Sequence, residues 1–96
     1  MKVDETKTVI IDSEHSIEIG GASWDENELT IRRRKDLNGR FDVHSSSEIP
    51  ISGHLNISHL LIECLKNDLI SPSAMTNILN EVIDSSKRQN SKIVII

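Results

Sequence analysis

Between Leu55 and Arg88 the apolar residues recur with the spacing of helices that each lay one stripe on a core. Ile57, Leu60, Leu61, Cys64, Leu65 and Leu69 share one face of a first helix, and Met75, Ile78, Leu79, Val82 and Ile83 share one face of a second. Both starts are marked. Asn56 can accept a hydrogen bond from an unpaired backbone N–H, and Leu55 is placed to staple onto Leu60. Ser71 caps the second helix, Pro72 sits where a missing N–H costs nothing, and Ile70 can staple onto Met75. The link between them is very short, so the pattern predicts a helical hairpin.

Upstream the period changes. Residues 1–6 are polar and expected to fray. Thr8, Val9, Ile10 and Ile11 are β-rich, a polar break follows at Asp12-Ser13-Glu14, and Ile17 and Ile19 then alternate with Ser16 and Glu18. This predicts two strands in a hairpin or one long bent strand, ending at Gly20-Gly21. Trp24 opens an acidic loop that holds Asp25, Glu26 and Glu28.

A second hairpin is better specified. Leu29 and Ile31 alternate with Thr30 and Arg32, Phe41 and Val43 alternate with Asp42 and His44, and Asn38-Gly39 lies between. A two-residue turn at Asn38-Gly39 would put Arg34 opposite Val43 and the apolar rows on opposite faces. A three-residue loop, Leu37-Asn38-Gly39, sets Asp36 opposite Arg40, Arg34 opposite Asp42 and Arg32 opposite His44. That register aligns the apolar rows and pairs opposite charges twice, so the three-residue loop is expected.

Ser45-Ser46-Ser47 and residues 48–53 carry the chain to the helices, and Lys92-Ile93-Val94-Ile95-Ile96 reads as a final strand. The expected fold is α+β, in the order ββββαα(β). An antiparallel sheet of three to five strands is packed on one face by the helical hairpin, as a single domain over residues 1–96.

Composition supports this. Ile, Leu and Val number 15, 8 and 5 and make up about 29% of the chain, above the level at which disorder becomes the default. With one Phe, one Trp and no Tyr, the chain lacks the aromatic platforms on which single-stranded nucleic acid stacks. The net charge of −4 is mild and selects no partner. One cysteine, Cys64, excludes an internal disulfide framework and fits a reducing compartment. No secretory pattern opens the chain and no apolar run is long enough for a membrane span. A soluble, cytoplasmic protein without membrane association is expected.

Candidate chemistry is sparse. The run Arg32-Arg33-Arg34-Lys35, with Arg40 and His44, could offer a nucleic-acid face of Arg32, Arg34, Arg40 and His44. Against it stand the offsetting Glu28, Asp36 and Asp42, and the use of charged edge strands to block aggregation. A helix-turn-helix reading fails on charge, because Glu81 and Asp84 on the second helix would repel phosphates. His54, His59 and Glu63 could begin a metal site, since His59 and Glu63 are four apart on one helical face. A further ligand is missing, and neither an HExxH nor a CxxC spacing occurs. No nucleophile elbow, phosphate loop or accessible Cys–His pair points to catalysis, and no cofactor is indicated. The remaining expectation is a small protein-interaction module, a homodimer or an inhibitory or accessory subunit. The sticky C-terminal Ile93, Val94, Ile95 and Ile96 either complete the chain's own sheet or add a strand to a partner or a second copy, and in the second case they are the expected contact.

Overall fold

A computed structural model describes residues 1–53 and 55–90. The chain divides into two units, Met1–Leu61 and Ile62–Ile96, with the boundary inside a helix. It is an α+β protein with an antiparallel sheet and two helices. Six strands precede the helices: β1 (Lys2–Val3), β2 (Val9–Ile10), β3 (His15–Gly21), β4 (Leu29–Leu37), β5 (Arg40–Phe41) and β6 (Glu48–Pro50). The helices are α1 (Ile57–Lys66) and α2 (Pro72–Arg88). The strand number exceeds the expected three to five because short strands double up along two long ones. β1 and β2 both pair with β3, β3 pairs with β4, and β5 and β6 both pair with β4.

Of the two readings open for residues 8–19, the chain forms the hairpin, with Val9 opposite Ile17 and Ile10 opposite Ser16. Asp12 closes it by accepting from the backbone N–H groups of Glu14 and His15, each at 2.8 Å. The opening residues differ from expectation. Instead of fraying, Lys2 and Val3 pair with Gly21 and Gly20, and Asp4 caps a 3-10 turn at Glu5–Lys7. Gly20 makes this possible, because a Cβ there would run into the backbone of Lys2 and Val3.

The second hairpin takes the register that the sequence disfavoured. Leu37 pairs with Arg40 and Asp36 with Phe41, leaving the two-residue turn Asn38-Gly39. Both turn residues have positive φ, 53° and 76°, as the tight turn of a twisted hairpin requires. The register places Phe41 on the face of Arg32, Arg34 and Asp36, away from Ile31, and β5 ends at Phe41 before Val43 would join it. Asp42 caps a 3-10 turn at Val43–Ser45. Ser46 then holds the exit, with its hydroxyl donating to Asp42 O at 2.7 Å and accepting from Lys35 N at 2.9 Å. The chain returns along β4 as β6, with Ile31 opposite Ile49 and Arg32 opposite Glu48.

The helix boundaries follow the caps. Asn56 accepts from Ser58 N at 2.9 Å and Ser71 accepts from Ala74 N at 3.2 Å. α1 stops three residues short of Leu69. Asp68 takes a left-handed conformation, φ 56°, and Leu69 N reaches Cys64 O while Asp68 N reaches Leu65 O. No described residue of α1 or α2 is buried.

Candidate protein-contact surface

The alternation along β3 and β4 puts polar side chains on the covered face. Ser16, Glu18, Thr30 and Arg32 are buried, and Thr30 donates to Gly20 O at 3.0 Å. Glu18 and Arg32 lie directly opposite each other. Arg32 Nε and Nη2 bind Glu18 Oε1 at 2.9 and 2.8 Å, in side chains only 9% and 7% exposed. Arg34 adds Nη1 to Glu18 Oε2 at 3.6 Å and Nε to Asp36 at 3.0 Å. The Phe41 ring caps both guanidinium groups, 4.6 and 4.9 Å from its centroid. Glu48 accepts from the backbone N–H of Ser23 at 3.1 Å and from its hydroxyl. Burial alone pushes the Glu48 carboxyl up, but the two Ser23 hydrogen bonds, the Met1 ammonium and the Arg32 charge together hold it below the ordinary carboxylate range.

The middle of the opposite face is apolar, with Arg33 and Lys35 at one end. Ile31 pairs with Ile19 on one side and Ile49 on the other, so three isoleucines form a row across three strands. Val9 and Ile17 extend it through their own pairing. Leu29 and Ile51 extend it at the far end, where Ile51 N reaches Leu29 O at 3.1 Å. None of these side chains is buried, and Val9 and Leu29 are exposed. Ala22 is the one buried hydrophobic side chain among the described residues. Most stripe residues of the helices are exposed as well, Leu60, Met75, Leu79 and Val82 among them, while Leu61, Cys64 and Ile78 are half-buried.

The sequence-predicted sites fare differently. The basic set does not share one face. Arg32 and Arg34 project with Asp36 and Phe41, whereas the two-residue turn places Arg40 opposite Leu37, on the other face with Arg33 and Lys35. His44 lies in the 3-10 turn, exposed. His59 and Glu63 are both exposed on α1, while His54 lies outside the described residues. Among the described residues no three His, Cys, Asp or Glu side chains come together to hold a metal. Ile93, Val94, Ile95 and Ile96 lie outside the described residues. No described helix is long and apolar enough to cross a membrane.

Sequence reasoning missed the Ser46 latch and the Glu18–Arg32–Phe41 assembly. The first had no signal beyond a serine run. The second was visible only as charges at alternating positions, which also fit a solvated strand. Comparison with known protein families, curated proteins and solved structures finds no match.

Proposed function

We propose that this chain is a protein-interaction module with no catalytic activity of its own, whose apolar surfaces are completed by a protein partner. One observation carries the reading. A chain about 29% Ile, Leu and Val buries a single hydrophobic side chain, Ala22, among its described residues. Exposed apolar area on this scale, rimmed by charge, marks association surfaces. The polar network between β3 and β4 supports it, because it gives the sheet a cohesion of its own. The apolar tail Ile93–Ile96, read from sequence as an adhesive strand, points the same way.

The test is sedimentation of the full chain, together with capture of bound proteins from nuclease-treated lysate and a thermal melt. The reading expects either self-assembly or a stoichiometric protein partner that raises the melting temperature. A monodisperse monomer that melts cooperatively and captures nothing would overturn it.

A further inference from the structure

The isoleucine face is asymmetric in charge along β4. At one end the acidic loop brings Glu26 over this face, since a Cβ on Gly21 would meet the Glu26 backbone. Gly21 shares the face with its partner Leu29. At the other end Arg33 and Lys35 project from the same face, with Arg40 beside them opposite Leu37. Lys2 offsets Glu26 only loosely, at 3.8 Å with both side chains mostly exposed. The order along the surface is therefore acidic, apolar, basic.

From this order we infer that the face binds a second copy of the chain about a two-fold axis near Ile31, the acidic loop of each copy meeting Arg33 and Lys35 of the other. A two-fold contact joins one patch to itself, and a patch that changes sign end to end is self-complementary when turned over. The spacing fits. At about 3.3 Å per strand residue, Leu29, whose partner Gly21 lies under the Glu26 backbone, is roughly 7 Å before Ile31, and Arg33 and Lys35 lie roughly 7 and 13 Å beyond it. Turned about that axis, the opposite charges fall into register while the Ile19, Ile31 and Ile49 rows cross at the centre. Those rows supply the apolar contact and the charged ends fix its direction.

This assignment rests on the interaction reading and is tested by exchanging charges, which leaves the isoleucines and the buried pair intact. One variant carries Glu26→Lys, the other Arg33→Glu and Lys35→Glu. The wild type is expected to sediment as a dimer that weakens with salt. Each variant alone meets like charge at both ends, and its dimer should weaken roughly tenfold or more. Mixing the two variants should restore a dimer containing one copy of each, because both ends are then opposite in sign. Circular dichroism melts of each variant confirm that the fold persists. An Ile31→Glu chain that stays folded should be monomeric.

A wild-type dimer indifferent to these exchanges would overturn the assignment and place association elsewhere, for example on the helix stripes. A wild-type monomer that captures a different protein would also overturn it while the interaction reading stands. A monomer that binds nucleic acid through Arg33, Lys35 and Arg40, or whose own helices cover the face, would overturn it too. A monomer that melts cooperatively and captures nothing would remove both.

Discussion

Arg32 and Glu18 meet across β3 and β4 through two hydrogen bonds of 2.9 and 2.8 Å, almost withdrawn from water. Truncating one member strands the other charge in a poorly solvated site. Arg32→Ala should cost about 3–5 kcal/mol in urea unfolding, the usual range for breaking a buried pair. The double replacement Glu18→Leu/Arg32→Met removes both charges at similar volume and should recover most of that loss. A double mutant no better than the single would show that the aliphatic stem and its Phe41 contact matter more than the charge.

Gly20 is the seat of β1. Gly20→Ala drives a methyl group into the Lys2 and Val3 backbone, which cannot swing aside as a side chain can. A loss of roughly 1–3 kcal/mol is expected, the scale of overpacking. The loss should shrink sharply when the same substitution is made in a chain lacking residues 1–3. Equal losses in both backgrounds would place the strain elsewhere.

The pH dependence has a defined sign. Because the Glu48 carboxyl is held low in the folded chain, the unfolded chain binds the extra proton first as pH falls. Its contribution is present above the ordinary carboxylate range and is lost as pH drops through the folded value. Asp4 and Asp12 act in the same direction, Asp4 chiefly through the Thr6 hydroxyl and Asp12 chiefly through the Glu14 N–H. Melting temperatures should therefore decline on acidification. Ser23→Ala, which removes the hydroxyl donor to Glu48, should make the decline shallower.

At the end of α1 a non-glycine residue holds a position that favours glycine. Asp68 has φ 56° and closes the helix with its own N–H bonded to Leu65 O. Asp68→Gly should raise stability by about 0.5–1 kcal/mol, relief of the left-handed conformation exceeding the added chain entropy. Asp68→Val should do the reverse, because a branched side chain is least tolerated there. Urea melts of the two variants decide it.

Local signals in the sequence proved the most readable. Asn56, Ser71 and Pro72 set the helix starts that the chain adopts, and the alternation from Ser16 to Ile19 marks a real strand. At Asn38-Gly39 the structure takes the other register, because the strands do not run on to His44 as the charge pairing requires. The deciding fact, that Ser46 turns the chain away after Phe41, depends on a serine hydroxyl that meets Asp42 O and Lys35 N only once folded. One register error moved Arg40 to the other face and dissolved the expected basic surface. The alternation also could not say which of the two faces would be covered. Thr30 and Arg32 are buried while Ile31 between them is not, against the usual rule that the apolar row faces the core. Of the site residues, His54 and Ile93–Ile96 fall outside the described part of the chain, so their roles rest on sequence alone.

The polar interior of the β3–β4 pair changes what natural variation in this chain can express. In most small domains isoleucines guard folding and charged residues drift. Glu18 and Arg32 are tied to each other, so a change in one strands the other. If the isoleucine face is the contact surface proposed above, Ile19, Ile31 and Ile49 answer to what they touch rather than to the scaffold, and relatives of this chain should keep the acid–base ladder and diverge in their isoleucines.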